Sequence, residues 1–247
     1  MSRPGPGPAR GLRPVEVRVP VRPLARFADV LDGDDYERCR AALAHGADLL
    51  AGRVVWHVNS TARGGGVAEM MGPLIGYARD SGADMRWMVI AGTPAFFAVT
   101  KRIHNLLHGE AGDGGDLGPA ERRLYDGVLW ENAVELSAIV RPGDVVVLHD
   151  PQTAGLIPAM GRLGARVVWR CHIGHHDLAD ERVARAWSFL APYLEAAEAT
   201  VFSRPEYVPR CCGARPVHII APSIDPFSPK NQDRAPGAVR AILSQAG

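Results

Sequence analysis

Residues of the kinds that handle sugars and phosphates stand at four places in this 247-residue chain. Asn59-Ser60 leads through Thr61-Ala62-Arg63 to three consecutive glycines, Gly64, Gly65 and Gly66. His149-Asp150-Pro151-Gln152, Arg170-Cys171-His172 and Ser223-Ile224-Asp225-Pro226 follow further along. Glycines between a strand-like and a helix-like run let backbone N–H groups and a helix N-terminus approach an anion, because no Cβ stands in the way. A phosphate or diphosphate suits such a loop. The run is neither G-x-G-x-x-G nor a P-loop ending in Lys-Ser/Thr, and a tight strand-to-helix turn without a ligand is the alternative reading. Elsewhere the chemistry is that of hydroxyl recognition. The carboxylate of Asp150 accepts from two hydroxyls, Gln152 offers a donor and an acceptor, and His172 donates to a hydroxyl or a leaving oxygen. For Asp150 the alternative is a turn or N-cap residue ahead of a helix starting near Thr153. His172, His175 and His176 come without an H-E-x-x-H pattern, and Asp113 and Asp116 without an EF-hand array, so no metal is expected.

The elements that must position these groups read as alternating strands and helices. Apolar runs at Val54 to Asn59, Arg86 to Ala91, Asp144 to His149, Arg166 to Cys171, Ala199 to Phe202 and Val217 to Ala221 are strand candidates. Several are nearly continuous, as in strands covered on both sides. The expected fold is α/β, a Rossmann-like parallel sheet with helices on both faces. Ligands of such sheets sit beyond the carboxyl ends of the strands, where all four polar stretches fall. Val67, Met70, Met71, Leu74, Ile75 and Ala78 form one expected core stripe, and Val183, Trp187, Leu190 and Leu194 another. Trp87, Phe96 and Phe97 read as core residues. Upstream come an alternating segment, Val15 to Val19, and a helix around Asp35 to Leu50. Residues 1–14, rich in proline and glycine, read as a disordered tail, and residues 109–118 as a flexible acidic loop.

Composition narrows the partners. With 47% hydrophobic and 22% charged residues and a net charge of +1, nothing selects nucleic acid or an anionic membrane surface. Cys39, Cys171, Cys211 and Cys212 lack zinc or disulfide-scaffold spacing and read as reduced thiols. No signal-peptide core or membrane-spanning run is evident, so a cytoplasmic location is expected.

The segment from Val55 to Met70, with Leu148-His149-Asp150-Pro151-Gln152, Trp169-Arg170-Cys171-His172-Ile173 and the stretch from Pro222 to Asn231, closely resembles the trehalose glycosyltransferring synthases. These are retaining GT-B glycosyltransferases of glycosyltransferase family 4. The resemblance runs over roughly residues 50–245 and rests on four motifs in order. It implies glucose transfer from a nucleoside-diphosphate glucose to glucose, giving α,α-trehalose with retention and without a cofactor. By analogy Gly64, Gly65 and Gly66 lie by the donor diphosphate and His172 contacts the donor glucose. Asp150 and Gln152 hold the acceptor, with Asn59, Ser60 and Arg170 supporting; Asp150 and His172 are the catalytic pair. The implied organisation is a tail over 1–14, an acceptor-side domain over 15–232, and a linker or helix over 233–247. That linker leads toward a donor-binding domain with no counterpart in these residues. A further domain, a partner chain or a second copy would then complete the donor site. An incomplete sugar-binding protein and a GT-B transferase with another acceptor are the alternatives. One departure stands out: the family continues from His172-Ile173 directly to an aspartate, whereas Gly174-His175-His176 intervene here before Asp177.

Overall fold

A computed structural model describes residues 11–213 and 215–246. The part of the expected tail before residue 11 lies outside them. Seven strands, β1 (Val15–Val17), β2 (Val55–Asn59), β3 (Met85–Val89), β4 (Val145–His149), β5 (Arg166–Cys171), β6 (Ala199–Phe202) and β7 (Val217–Ile219), form one sheet in the order β1-β3-β2-β4-β5-β6-β7. Only β1 runs antiparallel to its neighbour; Val15 to Val17 is all of the alternating segment that pairs. The helices are α1 (Gly33–Leu49), α2 (Gly66–Asp80), α3 (Pro94–Leu107), α4 (Pro119–Ser137), α5 (Ile157–Arg162), α6 (Glu181–Leu194) and α7 (Pro236–Ala246).

Right-handed crossovers dictate which face each helix covers. The chain steps from β2 through α2 to β3 in one direction, then returns through α3 and α4 past β2 to β4, continuing through α5 and α6. Helix α2 therefore covers one face, and α3 to α6 pack together on the other, where Trp56, Val58, Val146, Leu148, Val167, Trp169 and Cys171 meet them. The α6 stripe is buried throughout: Val183, Trp187, Leu190 and Leu194. The α2 stripe is rotated from the expected one. Ala68, Met71 and Ile75 are buried against Trp87 and its surroundings, and Ala78 is buried as well, whereas Leu74 is exposed and Val67 and Met70 border a cleft.

Buried polar residues hold the sheet ends in register. The Asp144 carboxylate accepts from the backbone N–H of Val54 and Arg141 and from Trp56 Nε1, all at 3.0 Å, joining β2 to β4. Asn132 exchanges hydrogen bonds with the backbone of Ala91, joining α4 to the end of β3. The loop 109–118, expected to be flexible, is tied down. Arg102 holds both carboxylate oxygens of Asp113 and the carbonyl of Asp116, and Arg185 donates to Gly115 O. All four cysteines are free. Among the described residues, no helix is long and apolar enough to cross a membrane.

Candidate functional site

The direction of chain progression reverses between β2 and β4, and the carboxyl ends of these strands flank a cleft of about 1000 Å³. Asn59, Ser60, Gly64, Gly65, Gly66, Asp150, Gln152 and His172 all line it. Arg170 is not on its wall. It sits beside His149 in the sheet, half-buried, with its charge acting on Asp150 and the nearby imidazoles.

Asn59 shapes the loop that follows it. Its Oδ1 accepts from Trp87 Nε1 at 2.8 Å and its Nδ2 donates to Thr61 O at 2.8 Å. The Thr61 hydroxyl donates to Arg63 O at 2.6 Å, closing the turn. Gly64 and Gly65 then take φ of +75° and +82°. Gly65 is the N-cap of α2 with no side-chain cap, so the first-turn N–H groups of this 15-residue helix stay open.

At the end of β4 the backbone turns sharply on Asp150, the sole described non-glycine residue with positive φ, +62°. Aspartate tolerates that region better than most residues, and strain of this kind persists where surroundings over-determine it. Here they do. Asp150 N–H donates to Arg170 O at 2.9 Å, Asp150 O accepts from Trp169 Nε1 at 3.1 Å, and Thr153 Oγ1 donates to His149 O at 2.8 Å. The buried Tyr125 hydroxyl donates to Pro151 O at 2.6 Å and accepts from Gly155 N–H at 3.0 Å. Tyr125→Phe orphans both buried backbone groups and should lower unfolding free energy by about 1–3 kcal/mol, measured by denaturant titration. A 3₁₀ turn, Ala154–Leu156, comes first where a helix from Thr153 is expected, and α5 follows it.

This turn aims the Asp150 carboxyl at the cleft. Oδ1 accepts from His172 N–H at 2.8 Å, and Oδ2 has no partner among the described residues. Burial pushes the carboxyl up to about 7, against the opposing pull of the His172 N–H and Arg170. His172 is half-buried and held neutral, its pKa lowered to about 3 by burial and then by Arg170. The side chains of Ser60 and Gln152 make no hydrogen bond within the described chain and are available to a ligand.

Two features escaped the sequence reading. His57 and His149 stand behind His172, with His57 Nδ1 3.0 Å from His149 Nε2 and His149 Nδ1 2.9 Å from His172 Nε2. The second is a clasp over the outer cleft wall. Asp225 accepts from Arg22 Nη1 at 2.7 Å, Tyr77 Oη at 3.2 Å and Phe227 N–H at 3.0 Å. Phe27 packs edge-on to both Tyr77 and Phe227, and the Arg26 guanidinium lies 4.1 Å from the Phe227 ring centre. Asp225 follows β7 in a stretch read from sequence as a strand end, but its partners Arg22 and Tyr77 lie 203 and 148 residues away. Asp225→Ala should cost about 1.5–3 kcal/mol, the worth of hydrogen bonds to a charged group. Proteolysis of the 222–231 segment should accelerate with it. Among the described residues, no three His, Cys, Asp or Glu side chains gather as a metal site would need.

Residues 57–209, the stretch that carries both strand ends and the helices between them, match the trehalose synthase N-terminal domain. The chain belongs to the trehalose synthase family. It is 37% identical over 224 residues to the trehalose synthase of Thermococcus litoralis, covering 90% of this chain and 51% of that protein. With the trehalose synthase of Rubrobacter xylanophilus it shares 36% over 203 residues, covering 81% of this chain and 47% of that one. It thus spans about half the length of the curated trehalose synthases it matches. Among solved structures, a trehalose-6-phosphate synthase superposes with a TM-score of 0.59 at 11% identity over 78% of this chain and 55% of that one. An α,α-trehalose-phosphate synthase (UDP-forming) from Burkholderia vietnamiensis gives 0.56 at 15% identity, covering 78% and 53%. At such identities the likeness is one of fold. The Rossmann-like sheet is the N-terminal half of the GT-B architecture, as expected.

Proposed function

We propose that this chain is the acceptor-side half of a retaining glucosyltransferase that joins glucose from a nucleoside-diphosphate glucose to a second glucose, forming α,α-trehalose. One juxtaposition carries the reading. The unpaired Asp150 Oδ2, the free Gln152 amide and His172 share a cleft with the uncapped N-terminus of α2. Carboxylate and amide suit the hydroxyls of the acceptor, and the glycine loop suits the donor diphosphate. Asn59 supports that loop, Ser60 offers it a free hydroxyl, and burial, reinforced by Arg170, keeps the surrounding imidazoles neutral.

The carboxylates favour a mechanism without a protein nucleophile. Besides Asp150, the cleft holds Glu69, which is paired with Lys230 at 2.7 Å, and Asp225, which is engaged in the clasp. In this half of the site, then, Asp150 is the one carboxylate without an ion-pair partner among the described residues, where a covalent double displacement would use a facing pair. The leaving phosphate itself takes the acceptor proton on the same face of the sugar, and the protein positions the partners and stabilises charge.

The relatives carry about as much chain again, and we assign completion of the donor site to a second domain of that kind. The test is trehalose formation from ADP-, UDP- or GDP-glucose and labelled glucose, by the chain alone and by the chain fused to the remaining half of the Thermococcus litoralis relative. Product from the fusion but not from the chain is expected. A folded fusion that yields none would contradict the transferase reading; product from the chain alone would contradict the need for a second half.

A further inference from the structure

Three imidazoles from three different strands or strand ends lie in a row, and two of them, His57 and His149, have no part in the transfer reaction as described. His57 and His149 are buried at 6% and 1% exposure, and His172 borders the cleft. Their ring planes are close to parallel, at 26° and 17°, with centroids 5.3 and 5.2 Å apart. The nearest nitrogens are only 3.0 and 2.9 Å apart. Centroids that far beyond the nitrogens mean rings meeting edge to edge, so these are in-plane hydrogen bonds and not face-to-face stacking.

Two such bonds among three neutral rings leave only two self-consistent arrangements, because each neutral imidazole has one N–H and one bare nitrogen. In the first, His57 Nδ1–H donates to His149, His149 Nδ1–H donates to His172 Nε2, and His172 carries its proton on Nδ1. In the second, every bond runs the other way, and His57 is protonated on Nε2. That His57 nitrogen is buried without a partner. Orphaned buried N–H donors are rarer than under-satisfied acceptors. That asymmetry selects the arrangement in which His57 Nε2 is bare.

We infer that His57 and His149 are positioning residues: a one-way hydrogen-bonded array that starts at His57 and fixes His172 in its Nδ1–H tautomer, giving the cleft a permanent donor for a sugar oxygen. This rests on the sugar-site reading only for the nature of the acceptor atom. The tautomer of His172, otherwise free to exchange, is then set by a residue 115 positions earlier that does not line the cleft.

Long-range ¹⁵N–¹H spectra of the full chain labelled in histidine test this, because they distinguish bare from protonated ring nitrogens. Signals are assigned by single substitutions. The expected pattern near neutral pH is Nδ1–H for His57, His149 and His172, with Nε2 bare in each. In His57→Phe the array loses its first donor, so His172 should redistribute between its two tautomers. His57→Asn, whose amide restores a donor near the Nδ1 position, should return the wild-type spectrum at His172. An Nε2–H tautomer at His172 in the wild type, a doubly protonated His149, or an unchanged His172 spectrum in folded His57→Phe would overturn the proposal. Should His57→Phe fail to fold, the wild-type spectrum and His57→Asn still decide. Absence of glucose binding in a wild type with the expected spectrum would instead contradict the sugar-site reading and leave the array standing.

Discussion

Asp150→Asn should abolish most glucose binding while leaving the fold intact. The substitution keeps a side chain that tolerates φ of +62°, but removes the charge that makes a carboxylate a strong acceptor. The expected loss is about ten- to hundred-fold in affinity, equivalent to about 1.5–3 kcal/mol for a hydrogen bond to a charged group. Because burial raises the carboxyl to about 7, only part of the wild type is ionised at neutral pH. Calorimetric titration should therefore find wild-type affinity rising with pH through about 7, and the variant flat. Stability moves in the opposite sense. The folded carboxyl holds its proton up to about 7 and the unfolded one only to its ordinary value of 3.8. Between those values the native state binds more protons, so unfolding free energy falls as pH rises through this window. The asparagine variant should lack that fall and overtake the wild type above it. Equal pH dependence in the two proteins would refute the burial of this carboxyl. Asp150→Ala should be less stable than Asp150→Asn, because alanine bears the left-handed backbone less readily.

Gly65→Val carries the second large effect. Gly65 combines φ of +82° with ψ of +154°, a region open essentially to glycine alone and worth about 1–3 kcal/mol of strain for other residues. No atom stands within 4 Å of where a Cβ would sit, so the penalty is in the backbone and not in a clash. The loop should relax by swinging away from α2, scattering the N–H groups that face the cleft. Binding of a nucleoside diphosphate, probed with UDP and ADP, should drop by at least about ten-fold, the factor corresponding to about 1.4 kcal/mol. Glucose affinity should change far less. Gly72→Ala, at an ordinary α2 position with open space around the new methyl, serves as control and should stabilise the helix by about 0.5–1 kcal/mol. Equal loss of both ligands in Gly65→Val would mean that the loop supports the whole cleft and has no particular tie to phosphate.

The strands were legible because a parallel sheet covered by helices writes itself as short apolar runs. The boundaries of β5 and β6 coincide with the sequence reading, and those of β2, β3 and β4 lie within two residues of it. That the candidate residues would come together was legible for a related reason: polar residues just past such runs collect at one edge whatever the strand order. What could not be read was which residues become neighbours. His57 reaches His149 because β2 lies beside β4, with His57 opposite Val147 and His149 opposite Arg170. That order depends on the α3–α4 connection passing over β2, which no local pattern announces. The α2 stripe misled because 3.6-residue periodicity identifies an apolar arc without saying what faces it. Part of this arc meets the cleft, at Val67 and Met70, while Tyr77, outside the arc, is buried. The loop 109–118 looked mobile from its glycines and acidic residues. Arg102 and Arg185, distant or on another helix, are what hold it.

The most direct test of the account is a glucose titration of the isotopically labelled chain followed by backbone and histidine chemical shifts. Saturable binding with the largest changes at Asp150, Gln152 and His172, and small ones beyond the cleft, is the predicted result. No saturable change up to the solubility limit of the sugar, or changes centred away from the ends of β2 and β4, would contradict the assignment of this cleft to an acceptor glucose.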